Sequence, residues 1–164
     1  MHITISLVAR VSWVFLAYRM PREPSTPRIS VWRELRRLGV AQVGDGLVAL
    51  PHDARTREQL EWVADEVIEA GGEASIWLAE AASAAQERAI ASGMADAIAG
   101  EYRAVMAEAG AAVAEASGQR RRTLGRLRRD LRRIRARDFF PPAEAELARR
   151  AVESLAEAAE AVQR

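Results

Sequence analysis

Residues 12–39 read SWVFLAYRMPREPSTPRISVWRELRRLG and pass from an extended segment into a helix through a stiff turn. Ser12–Tyr18 is β-branched and aromatic on both faces, the pattern of a strand covered on both sides. Pro21, Pro24 and Pro27 then fall within seven residues. Each fixes φ and lacks a backbone donor, so the turn is rigid. Ser25 or Thr26 is expected to cap the helix that follows, with Pro27 at its first position. Val31, Leu35 and Leu38 make its apolar stripe with Trp32 beside them. Arg28, Arg33, Arg36 and Arg37 fall mostly on the other side, and Gly39 ends it.

Downstream, Val40–Val43 and Leu47–Leu50 flank Gly44-Asp45-Gly46, a hairpin signal, and Pro51 stops the second strand. Thr56-Arg57-Glu58-Gln59 has the form of a capping box. The helix behind it shows Leu60, Val63 and Val67 on one face and ends at Gly71-Gly72, and Ala74–Ala79 is a last strand. This β-α-β-β-α-β order is the split unit called ferredoxin-like. Its sheet would carry both helices on one face.

From Ser83 the composition turns to Ala, Glu and Arg with long helical periodicity. Ser83-Ala84-Ala85-Gln86 has capping-box form, and Ile90, Met94, Ile98, Tyr102, Val105, Ala109 and Val113 repeat at three and four as one stripe. Ser117-Gly118 breaks this helix. In residues 119–137, Leu124, Leu127, Leu131 and Ile134 line one side and ten arginines occupy much of the rest. Asp138-Phe139-Phe140-Pro141-Pro142 stops that helix, the two phenylalanines anchoring its end. Residues 143–162 make a third, with Leu147, Ala151, Leu155, Ala158 and Val162 inward. The fold class is therefore α+β. Residues 1–11 form a leader, ordered or disordered, 12–80 a ferredoxin-like domain, and 83–164 a C-terminal helical hairpin or three-helix bundle expected to cover part of the first domain.

Net charge is only +1, but it is unevenly spread. Residues 119–137 hold ten Arg against one Asp, a net of +9, between segments that sum to −4 (80–118) and −3 (138–164). All 24 basic residues are Arg, so each is weaker evidence of bidentate phosphate recognition than in a mixed Lys/Arg chain. The absence of Cys excludes disulfides, thiolate metal sites and Cys nucleophiles. His2 and His52 are too few and too far apart for a metal site. Glu66 and Glu69, or Asp65 and Glu69, share a helix turn, but no nucleophile joins them, so no enzyme, catalytic residue, metal or cofactor is expected. The apolar run near the N-terminus is short for a membrane span and carries Arg10, which favours a cytoplasmic protein without a membrane partner. Trp13, Trp32, Trp62 and Trp77, one on each of four elements, are expected in the core.

Two sites stand out. Arg19, Arg22 and Arg28 flank the Ser25-Thr26 helix start, where free backbone N–H groups and the helix dipole favour an anion, a DNA phosphate or a small oxyanion. Their alternative is pairing with Glu23, Glu34 or acids of the later helices. Nucleic-acid contact is expected at Arg28, Arg33, Arg36 and Arg37 of the first helix and at Arg121, Arg122, Arg128, Arg129, Arg132 and Arg133 of the basic block. Cross-pairing of that block with its acidic neighbours, within the chain or with a sensor subunit, is the competing expectation. No zinc finger, basic zipper or helix-turn-helix signature is present.

The segments SWVFLAYRMPREPSTPRISVWRELRRLG, GDGLVALP, REQLEWVADEVIEAGGEA and RARDFFP together resemble the N-terminal domain of ChrB, the chromate resistance regulatory protein. The resemblance implies a cytoplasmic bacterial regulator of a chromate efflux operon that binds promoter DNA and releases it when chromate is present. It also implies that full-length members carry a further C-terminal domain, none of whose roles transfers to these residues. A homodimer is expected, because regulators reading two half-sites are usually two-fold symmetric.

Overall fold

A computed structural model describes residues 11–161, so the expected leader, apart from Val11, and the inward placement of Val162 lie outside the described residues. The chain divides into two compact units, Met1–Ala91 and Ser92–Arg164.

The first unit runs β1 (Ser12–Arg19), α1 (Ser25–Leu38), β2 (Ala41–Gly44), β3 (Leu47–Pro51), α2 (Ala54–Glu69) and β4 (Glu73–Glu80). The four strands form one antiparallel sheet in the order β2-β3-β1-β4. Val14 faces Leu50 and Leu78 across the two ladders, and Leu16 faces Val48 and Ile76, so these side chains share one face. Trp13, Phe15 and Ala17 share the other with Ala49 and Trp77. Val14, Leu16, Val48 and Leu50 are fully buried, as are Leu60 and Val67 of α2. Val31, Leu35 and Leu38 of α1 are buried as their spacing predicts.

The helix starts differ from the expected ones. α1 begins at Ser25 with Pro24 as N-cap, and neither Ser25 nor Thr26 caps it by a side-chain hydrogen bond. Pro27 is therefore the third helical residue, where its missing N–H costs nothing because first-turn donors are unpaired anyway. α2 begins at Ala54, and its N-cap is Asp53 rather than Thr56. The Asp53 carboxylate accepts from the Thr56 N–H at 2.7 Å, and the Asp53 N–H donates to Thr56 Oγ1 at 2.9 Å. The Thr56 hydroxyl in turn donates to the Pro51 carbonyl at 2.6 Å, which ties the helix start to the end of β3.

Three of the four tryptophans are not in the core. Trp13 is fully buried, but Trp32, Trp62 and Trp77 are 54%, 67% and 61% exposed. Trp32 and Trp62 stand next to, not within, the buried stripes of α1 and α2, and Trp77 lies on the edge strand β4.

α3 (Ala84–Ala112) starts in the first unit, where the Gln86 N–H donates to Ser83 Oγ at 3.1 Å, and continues into the second. α4 (Ser117–Ala136) and α5 (Ala143–Ala161) complete the second unit. Ile98, Tyr102, Val105 and Ala109 of α3, Leu124, Leu127, Leu131 and Ile134 of α4, and Ala148, Val152 and Leu155 of α5 form one hydrophobic core. Ser117-Gly118 does not break α3. That helix has already stopped at Ala112, and Ser117 and Gly118 open α4. Val113 is accordingly exposed, and Ala112 takes the buried place. Leu147 is also exposed, because α5 turns Ala148 inward instead. Phe139 and Phe140 are half-buried. The Tyr102 hydroxyl donates to the Asp138 carboxylate at 2.8 Å and joins α3 to the end of α4.

Candidate nucleic-acid interface

An α-helix turns 100° per residue, so Arg121, Arg128, Arg132 and Arg135 lie within about 60° of one another on α4, with Arg122 and Arg129 about 80–100° further round from Arg121. All six are exposed, and none forms an ion pair among the described residues. Their Cα positions cover about 21 Å of helix at 1.5 Å per residue. Among the described residues Arg122 binds only the neutral Gln119 side chain, at 3.0 and 3.2 Å.

The placement of the acids explains why this ridge is unpaired. The α3 carboxylates Glu108 and Glu101 take Arg126 and Arg137, which point around the other side of α4; Arg137 reaches Glu101 through two bonds of 2.6 and 2.5 Å. Glu115 accepts from the Thr123 hydroxyl at 2.9 Å. Asp130 meets Arg126 at 3.5 Å and Arg133 at 3.7 Å. Three of the five α5 acids are held by arginines outside α4. Glu144 binds Arg103 at 3.0 Å, while Glu146 and Glu153 both bind Arg149. Arg149 first, and Arg150 second, hold the Glu146 carboxyl down at about 2. Arg120 donates to the backbone carbonyls of Ala158 and Glu115, each at 2.9 Å. The expected cross-pairing thus exists but consumes Arg126 and Arg137, not the ridge. Of the arginines singled out in the sequence, Arg133 is turned toward Asp130, and Arg135, which was not singled out, belongs to the ridge. Its place follows from the 7-4-3 spacing of 121, 128, 132 and 135.

On α1 the arginines divide. Arg37 makes two bonds to Glu34, at 2.9 and 2.5 Å, and their hydrogen bonding lowers the Glu34 pKa. The Arg36 guanidinium stacks over the Trp32 ring, 4.9 Å from its centroid. Arg28 and Arg33 are exposed and line one cleft together with Tyr18, Met20, Ile29, Trp32 and Gly46. Arg19, Arg22, Ser25 and Thr26 are exposed and do not line that cleft, so of the five expected anion ligands only Arg28 does. Among the described residues no three His, Cys, Asp or Glu side chains are grouped to hold a metal, and no helix is long and apolar enough to cross a membrane.

None of the curated proteins and none of the solved structures matches the chain. A family model does. It starts at Arg28, within the first turn of α1, and takes in the cleft's helical wall and all of α4. With residues 28–164 matched by the family described as Protein ChrB, N-terminal, the chain belongs to that family.

Proposed function

We propose that this chain is the nucleic-acid-binding part of a chromate-resistance regulator and that it holds DNA by laying the arginine ridge of α4 along the phosphate backbone. The observation that carries this reading is the six exposed guanidinia, four of them in one row, without carboxylate partners among the described residues. One strand of duplex presents a phosphate every 3.4 Å of rise, so about 21 Å of helix spans about six phosphates. Guanidinium forks suit phosphate oxygens, and such contacts position a protein without reading sequence. Any sequence preference would come from a two-fold dimer or from DNA shape. The order of strands and helices in the first unit supports a ferredoxin-like reading of it, and the shared core of α3, α4 and α5 supports a three-helix bundle in the second.

The test is a set of paired neutralisations. Arg128→Gln with Arg132→Gln removes two ridge charges, and Arg149→Gln with Arg150→Gln removes two charges from α5. The first pair should weaken duplex binding about tenfold or more at low salt, and the second should leave it nearly unchanged. Equal losses from both pairs would show only a response to net charge, and no loss from the first pair would remove the ridge from the function.

A second reading is an interaction module without DNA contact, in which the ridge meets the acidic surface of a sensor subunit. The interhelical pairs Arg126–Glu108 and Arg137–Glu101 favour it, since they show this basic helix already pairing with acidic ones. Under that reading charge reversal on the ridge disturbs assembly, and affinity for duplex is unaffected.

A further inference from the structure

The cleft beside α1 is a different kind of site from the ridge. It has a volume of about 580 Å³ and lies between Tyr18 of β1, Met20 just after that strand, the turn at Gly46 and the α1 residues Arg28, Ile29, Trp32 and Arg33. That volume is in the range of small-molecule sites. We propose that it binds a small aromatic anion, a flat apolar ring bearing a carboxylate or phosphate group, and that the ring packs on Trp32 while Arg28 and Arg33 hold the charge.

Three features argue for this ligand class. The walls combine two guanidinia with the apolar surfaces of Met20, Ile29, Tyr18 and Trp32. A bare inorganic oxyanion would satisfy the guanidinia but leave the indole and the two aliphatic walls wet. A neutral apolar molecule would leave both charges unused. Arg28 and Arg33 have no ion-pair partner among the described residues, although Glu34 sits next to Arg33 in sequence; Glu34 is occupied by Arg37. Finally, the Trp32 ring is oriented before any ligand arrives. Arg36 stacks over it at 4.9 Å, and Trp32 nevertheless lines the cleft and remains about half exposed. A fixed aromatic surface costs little entropy on binding. Gly46 lines the cleft without adding a side chain to it, and the Tyr18 phenol is a neutral group beside the anion.

The experiment uses the full chain and 1-naphthoate as probe, with calorimetry as the readout. 1-Naphthylmethanol tests the charge, and sodium chromate and sulfate test the ring. Saturable 1-naphthoate binding is expected, weakened about tenfold by Arg28→Gln with Arg33→Gln and by Trp32→Ala, a factor worth about 1.4 kcal/mol. All three side chains are exposed, so the variants should keep the native circular dichroism; Trp32→Phe serves if Trp32→Ala does not fold. 1-Naphthylmethanol should bind about tenfold more weakly than 1-naphthoate. Absence of saturable 1-naphthoate binding overturns the proposal, as does binding that the variants leave unchanged. Chromate or sulfate displacing 1-naphthoate at equal concentration would also overturn it, by showing an inorganic-anion site. The ridge neutralisations on α4 should not alter any of these values, so the two sites stand or fall separately.

Discussion

Replacing Gly46 with alanine should destabilise the first unit far more than replacing Gly71, although both glycines have left-handed backbones. Their φ angles are 67° and 83°. Alanine in that region costs about 1–2 kcal/mol at either site. The surroundings differ. A Cβ on Gly46 would lie 2.3 Å from the Tyr18 carbonyl oxygen, whereas one on Gly71 meets nothing within 4 Å. Relief at Gly46 requires the turn to move by about 1 Å from β1, because an ordinary carbon–oxygen contact is near 3.4 Å. The Tyr18 N–H donates to the Gly46 carbonyl at 2.8 Å, so that movement also loses this bond. Overpacking of about 1–3 kcal/mol and a lost bond of about 1 kcal/mol bring Gly46→Ala to about 3–6 kcal/mol, against about 1–2 for Gly71→Ala. With a urea slope of about 1 kcal/mol per M for a unit of this size, the midpoints should differ by about 2–4 M. Tryptophan fluorescence is the right assay, because Trp13, Trp32, Trp62 and Trp77 all lie in the first unit and the second has none. Coincident midpoints for the two variants would refute the close approach of Gly46 to the Tyr18 carbonyl.

Three further outcomes follow from the same coordinates. Tyr102→Phe deletes the bond to Asp138 and should cost about 1–3 kcal/mol, seen in helical circular dichroism but not in tryptophan fluorescence. The Tyr102 pKa is raised, by burial first and by Asp138 second. The folded state therefore keeps a proton that the unfolded phenol loses, and stability falls as pH rises above the unfolded value of about 10; Tyr102→Phe should flatten that alkaline decline. At the acid end, the Thr56 backbone N–H lowers the Asp53 pKa. Its capping is present above the unfolded value of about 3.9 and is lost as pH falls through the lower folded value, so Asp53→Ala should cost about 1 kcal/mol at neutral pH and much less near pH 2.

The order of strands and helices was legible because turn chemistry and hydrophobic period agree along the first unit. Pro21 through Pro27, the Gly44-Asp45-Gly46 turn and Gly71-Gly72 all punctuate at element ends. Cap positions were less legible, since Asp53 and Thr56 are both good cap residues, and it is the reciprocal bonding between them that makes Asp53 the cap and Thr56 the third helical residue. The tryptophans misled because indole size says core while their position beside, rather than on, the buried stripes says surface. At Leu147 the neighbouring Ala148 gives α5 a smaller buried side chain, a packing choice that no single-helix pattern contains. The arginine block was visible, but which of its members are neutralised depends on where Glu101 and Glu108 of α3 fall in space. The cleft depends on tertiary placement altogether, because it joins Tyr18, Gly46 and Trp32 across three elements.

Affinity for a duplex of about 20 base pairs, measured from 50 to 200 mM salt, bears most directly on the ridge. If six guanidinia meet six phosphates, log Kobs falls against log salt with a slope of about −5, a loss of about a thousandfold over that range. A slope between 0 and about −1 would contradict it, since fewer than about two phosphates would then be neutralised by six exposed arginines.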